Sequence, residues 1–487
     1  MSERTRWLFA GQLGERFDDG ARVLIIEARS VFARRPMHRA KAHLILSAMR
    51  HRVRELGDRV EFHQVERYAD VVDGRDDLEV IDPTSWSARR FVRERGIHVL
   101  PSRGFVTNEE DFRTWAQSRG NARLLMEDFY RDMRARTGIL MNGPDPVGGT
   151  WNYDHDNRQP PPKAPTLGLA PWWPEEDDID ADVRADLDRW VAEGAVTLVG
   201  DDGPRRFAAT GAEARLALDD FLSYRLPDFG PYEDAMLQGD WTMAHSLLSA
   251  PMNLGLLDPR EVVDAAEARY RAGDAPLNSV EGFVRQISGW RDYVWHLYWH
   301  LGEGYPTRSN YLNATTPLPE AFLQLDPDLI TANCLRETID GMRRHGWAHH
   351  IQRLMVLGNW SLQHGYDPVA LNNWFVDMFV DGTPWVMPAN VIGMSQHADG
   401  GIVATKPYAA GGAYISRMSD YCGGCRFDPK VRVGENACPF TAGYWAFLDR
   451  NESRLAGNHR MAQPLAGLRR LADREAVVDQ ERRREEW

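Results

Sequence analysis

Val23-Leu-Ile-Ile26, the stretch of helical periodicity Met37 to Leu56, and Val60-Glu-Phe-His63 follow one another as strand, helix and strand. Short unbroken apolar runs of this kind suit strands covered on both faces. Trp7-Leu-Phe-Ala10 precedes them, and Leu78-Glu-Val-Ile81 and His98-Val-Leu100 follow, with the helical stretch Ser85 to Arg95 between. Strands alternating with helices predict a parallel, doubly wound sheet, so residues 1–135 are expected to form an α/β domain. Gly11-Gln-Leu-Gly14, after the first strand, lacks the G-x-G-x-x-G spacing, and no nucleotide is expected there by the standard route.

A chain of 487 residues is too long for one ordinary core. Residues 138–178 hold 5 Gly and 8 Pro and read as irregular. The span 136–209 is therefore expected to link two domains, and Asn152-Tyr-Asp-His-Asp-Asn-Arg158 within it is either docked or solvent-exposed. From about residue 210 the periodicity is helical, which predicts an all-helical domain over 210–487. Asp258-Pro259 and Asp367-Pro368 read as helix starts. Gly365 and Gly382 read as helix stops, and Met342 to His364 as one helix carrying His350, Arg353, Leu354 and Leu357 on one face.

The net charge is −13, which argues against a histone-like binder of nucleic acid. Charge is segregated, however. Residues 1–60 carry 13 basic and 7 acidic side chains, whereas residues 175–189 carry 2 and 8. A local basic groove is compatible with this, the acidic run lying away from it. No apolar run reaches the 18 residues of a membrane span, and no signal-peptide core follows Met1. A cytoplasmic monomer with no membrane association is expected.

Four cysteines are too few for a disulfide framework. Cys422-Gly-Gly-Cys425, Cys438-Pro439 and the distant Cys334 supply four thiolates, a set that zinc and iron–sulfur clusters both accept. Ser246-Leu247-Leu248-Ser249, with Asn253 behind it, places two hydroxyls near a helix start, a plausible cradle for a pyrophosphate or a simple cap.

Ser246-Leu-Leu-Ser249 and Gly255-Leu-Leu-Asp-Pro-Arg260 resemble the flavin phosphate segment of DNA photolyases and cryptochromes. Gln286-Ile-Ser-Gly-Trp290-Arg291-Asp-Tyr293 is similar to a conserved helix of that family. His349-His350-Ile-Gln-Arg353-Leu-Met355 is similar to its flavin- and lesion-lining helix. Asn390-Val-Ile-Gly-Met394-Ser-Gln, Lys406-Pro-Tyr408 and the four cysteines resemble one branch, the iron–sulfur bacterial cryptochromes and photolyases, which includes prokaryotic (6-4) photolyases. The resemblance runs from the first strand to about Pro464.

The resemblance implies light-dependent repair of (6-4) pyrimidine lesions in UV-damaged DNA by an electron from reduced FAD. A blue-light-sensing cryptochrome with the same cofactors is the alternative. It implies FAD contacts from Ser246, Leu247, Leu248, Ser249, Asn253, Gln286, Trp290, Arg291, Arg353, Asp381, Met387 and Asn390. His350 would give the lesion a proton, with His349, Tyr408 and Trp374 beside it. Cys334, Cys422, Cys425 and Cys438 would hold a 4Fe-4S cluster. A 6,7-dimethyl-8-ribityllumazine antenna would lie near Gln12 and Glu27. Arg158, Arg285 and Arg291 are expected to meet DNA. The sequence departs from the family at Met387, where Asn or Glu usually faces flavin N5, and at Asp326, Phe375 and Thr383, where relatives can carry oxidisable rings. It departs also at Gly11, where a carboxylate is usual beside the antenna.

Overall fold

The computed structural model describes residues 4–484. Its sheet has five parallel strands: β1 (Thr5–Leu8), β2 (Val23–Ala28), β3 (Val60–Val65), β4 (Leu78–Ile81) and β5 (His98–Leu100). The spatial order is β3-β2-β1-β4-β5, so the chain steps outward from β1 on both sides. The helices Arg39–Leu56 and Trp86–Glu94 form as expected, the second capped by the Ser85 hydroxyl. Almost everything after residue 210 is helical. An α/β sheet followed by a large helical region is the architecture the periodicities predict.

Four expectations need correcting. The span 136–209 is more than a connection, because Asp178–Ala192 is a helix packed on Arg39–Leu56, and Leu198–Val199 pairs with Met37–His38. Val183, Leu187 and Trp190 bury against Phe32 and Leu46. The dense acidic run hides that apolar stripe. Its carboxylates do not stand apart either: Asp188 pairs with Arg39, Asp186 with Arg50, and Asp177 and Asp178 with Arg54. Much of the basic surplus of the first 60 residues is thus cancelled within the protein.

The single helix expected over Met342–His364 is broken. One helix, Asn333–His345, ends at left-handed Gly346, whose φ is +59°. A Cβ there would stand 2.9 Å from Nδ1 of His38. The chain then restarts and passes through a wide helical turn, Gln352–Gly358, into Asn359–His364. Gly365 is a stop, but the helix Pro368–Met378 ends before Gly382.

At the carboxyl end of β1, where open α/β sheets usually take ligands, the loop Gly11–Gly14 meets the chain's own segment 253–256. Leu13 N donates to Leu254 O at 3.0 Å. A Cβ on Gly14 would lie 2.0 Å from Gly255 O, and one on Gly255 would lie 2.7 Å from Gly11 O. Backbone meets backbone here, and only glycine permits it.

Candidate functional site

The helical region is organised around one ion pair. Arg353 donates through both terminal nitrogens to Asp381, at 2.9 and 3.0 Å, and through Nε to Ala348 O at 2.6 Å. Its guanidinium lies over Phe379 at 4.1 Å. Ser249 Oγ donates to Asp381 Oδ2 at 2.7 Å, and Asn253 Nδ2 to the Asp381 carbonyl at 3.0 Å. Four of the expected flavin contacts therefore meet at one point. Nearby, the buried Trp347 indole N–H and Thr383 hydroxyl have no partner within the protein. Such groups suit a polar ligand.

The remaining expected contacts are distributed differently. Ser246 Oγ accepts from Leu248 N in a tight turn, with Leu247 at φ +59°. Leu248 is fully buried, and Leu247 nearly so. These two leucines are core, and the Ser249 hydroxyl donates to Asp381. Gln286 and Trp290 are half-buried. Arg291 donates to Gly104 O at 2.9 Å and stacks near Phe105 and Trp385. Asn390 Nδ2 donates to Val386 O at 2.9 Å. Met387 is buried in the same apolar cluster as Trp374, whose indole N–H donates to Phe322 O at 2.8 Å. Trp374 touches Phe379, the ring beneath Arg353.

Beside this node three histidines converge. His245 and His349 are buried and stack at 4.5 Å between centroids, and His350 lies edge-on to His245 at 5.6 Å. Burial holds the first two imidazoles well below their usual range, and the charges of their neighbours add to this. His350 is exposed, and its Nε2 lies 3.3 Å from Asp234 Oδ1. Asp234 also faces Arg158 at 3.9 Å, and Arg158 donates to Asp154 at 3.0 Å. Burial pushes the adjacent Glu233 carboxyl up to about 8. The loop 152–158 is docked through Asn157, which is fully buried and donates to Asn278 O. Tyr408, partly exposed, lies within the field of Arg158 and Asp154.

The four cysteines line one small apolar cavity with Ala332, Ile415, Tyr421, Phe427, Pro439 and Phe440. None is in a disulfide. A Cβ on Gly412 would come 2.7 Å from Cys438 Sγ, so glycine keeps that sulfur's approach open. Burial and thiolate repulsion push Cys422 up to about 11 and Cys334 well above its usual range.

Two of the arginines expected on DNA are corrected. Arg285 is buried between Asp154 and Glu281, and Arg291 is turned inward. A different set lines the surface instead. Arg123, Arg454 and Arg460, with His459, line a cleft of about 680 Å³. Among the described residues, none of these three arginines forms an ion pair, although most arginines here do. They come from segments more than 300 residues apart, so no local pattern marks them.

Gln12 and Glu27 are buried and committed. Gln12 Nε2 donates to Ile81 O at 3.0 Å and its Oε1 accepts from Phe9 N. Glu27 accepts from Arg50 at 2.9 and 3.0 Å and from Gln64 at 2.8 Å. The Gln12 amide keeps a second N–H, and the Glu27 carboxylate a further lone pair, beyond these bonds.

Residues 10–196 match the family model described as deoxyribodipyrimidine photo-lyase-related protein. The chain is also 43% identical over 459 residues to a (6-4) photolyase of Agrobacterium fabrum (strain C58 / ATCC 33970), covering 90% of this chain and 88% of that protein. The chain belongs to the photolyase-related family. Among solved structures, a bacterial class III photolyase from Agrobacterium tumefaciens superposes with a TM-score of 0.59 at 17% identity, over 94% of this chain and 98% of that one. The Synechocystis sp. PCC6803 cryptochrome does so with 0.54 at 12%, over 85% and 88%. These two share the photolyase-related fold.

Proposed function

We propose that this protein is a light-driven (6-4) DNA lyase. What supports it is kinship to a (6-4) photolyase over 90% of this chain and 88% of that protein, with an exposed histidine on a carboxylate beside the Arg353–Asp381 node. Bound reduced FAD would supply, on illumination, the electron that a (6-4) lesion takes up. Ser249, Asn253, Arg353 and Asp381 would hold the flavin, and Trp374 and Phe379 wall the same region. Asp234 on Nε2 orients His350 and leaves Nδ1 to face the lesion as the proton donor. The lesion must leave the duplex to reach this pocket. Arg123, Arg454 and Arg460 would take the flanking phosphates, which reconciles DNA binding with a net charge of −13.

Cys334, Cys422, Cys425 and Cys438 would hold a 4Fe-4S cluster. Raised thiol values make an empty thiolate set unfavourable, and a polycationic core reverses that. A 6,7-dimethyl-8-ribityllumazine antenna would lie beside Gln12 and Glu27, and no step is assigned to it.

Met387 favours a second reading, a blue-light receptor, because it brings no polar group to the flavin. Incubation with a (6-4)-containing oligonucleotide in the dark and under blue light separates the two. Loss of the lesion only in light is expected. A fully flavinated, reduced protein that leaves the lesion intact in light would overturn the lyase reading.

A further inference from the structure

His245, His349 and His350 place ring donor atoms within 4.8 Å of one another. Their centroids are 4.5, 5.6 and 6.1 Å apart. Three imidazoles on one tetrahedral ion, with bonds of about 2.0–2.1 Å, put their centroids about 5 Å apart. Small rotations therefore convert the cluster into a ligating set.

The valences are free as well. Nε2 of His245 and both ring nitrogens of His349 have no partner, although the residues are only 6% and 2% exposed. Buried ring nitrogens ordinarily find one. His350 completes the set from the solvent side, its side chain 45% exposed. Asp234 on its Nε2 leaves Nδ1 for an ion, and a carboxylate behind an imidazole is the usual support for a metal-ligating histidine. Neighbouring cations do not forbid the site, because Arg353 is neutralised by Asp381 and Arg225 by Asp220. Three neutral nitrogens select late first-row ions over magnesium or calcium.

We propose that His245, His349 and His350 bind one divalent late transition-metal ion, with zinc as the test case, and that the bound ion withholds His350 from proton transfer. The second clause rests on the lyase reading, whereas the first does not.

The test uses the holoprotein in the dark, with iron and sulfide content checked so that zinc on the cysteines is excluded. Zinc is titrated against a chromophoric indicator. One equivalent is expected to bind, with affinity at least tenfold weaker in His350→Gln, whose exposed position spares the fold. His245→Gln should weaken binding similarly while keeping the flavin spectrum. Absence of a zinc equivalent at micromolar concentration, or parental affinity in His350→Gln, would overturn the site. In light, one equivalent of zinc should slow lesion repair at least tenfold, and a chelator should restore it. Unchanged repair with zinc bound overturns the inhibitory clause. A protein that binds zinc but repairs nothing even without it counts against the lyase reading alone, because the dark titration still decides the site.

Discussion

Lys41, on the helix that follows β2, places Nζ 2.6 Å from the carbonyl of Gly382, the residue after Asp381. It also donates to Val376 O. One buried ammonium from the α/β region thus terminates the helix that leads to the Arg353–Asp381 pair. Burial lowers this lysine to about 8 from 10.5. Between those values the unfolded chain binds the extra proton, so stability gained from Lys41 rises with pH across that window. Comparing Lys41→Met with the parent by denaturant unfolding at pH 7.5 and pH 10.5 should show the parent gaining up to about 3 kcal/mol relative to the variant.

Removing Arg353 leaves the Asp381 carboxylate buried with only Ser249 to satisfy it. Arg353→Ala should cost about 3–5 kcal/mol and lose flavin during purification. Ser249→Ala removes one hydrogen bond to a charged group, about 1.5–3 kcal/mol, and should retain flavin better. Flavin-to-protein absorbance ratios after gel filtration check the order.

The purified protein should be brown, with iron and sulfide each about four per chain. Cys334→Ala should lower folded yield more than it alters repair by the folded fraction, because that ligand ties the helix Asn333–His345 to the loop after residue 420. Zinc in place of iron and sulfide is the result that would contradict the cluster.

His350→Ala should slow repair by about 10²- to 10⁴-fold with flavin and cluster spectra unchanged. Asp234→Asn, which keeps the shape but not the charge, should fall between that variant and the parent. Single-turnover repair in light measures both.

Arg460→Glu and Arg123→Glu should weaken DNA binding without regard to sequence. Each should lower the salt slope of binding by about 0.9 per lost phosphate contact. Arg285→Glu should instead unfold its surroundings, since it would set a third carboxylate against Asp154 and Glu281.

The strands were legible as short apolar or alternating β-rich runs, and all five overlap those runs. Helix starts at Asp258 and Asp367 were legible because capping is local. The break at Gly346 was not, because the residue that requires it, His38, lies some 300 positions away. The acidic run 175–189 was expected apart from the basic residues, since its partners on Arg39–Leu56 are invisible to any local window. Arg353 and Asp381 were legible as site residues through the family resemblance, but the bond from Ser249 to Asp381 spans 132 positions and leaves no local signal. The histidine cluster escaped for the same reason as the cleft arginines: His245 is a hundred residues from its companions.

The contact of Gly14 with Gly255 has a mechanical consequence. At this one point backbone packs directly on backbone, so the two regions cannot separate there without losing the Leu13–Leu254 hydrogen bond. Under the lyase reading, distortion that brings a base to His350 falls in large part on the nucleic acid. Its cost depends on how readily the steps around the lesion unstack, least for pyrimidine–purine steps and most for stiff A-tracts. Discrimination among lesion contexts would in that case be written in the flexibility of the DNA, at positions that no side chain touches.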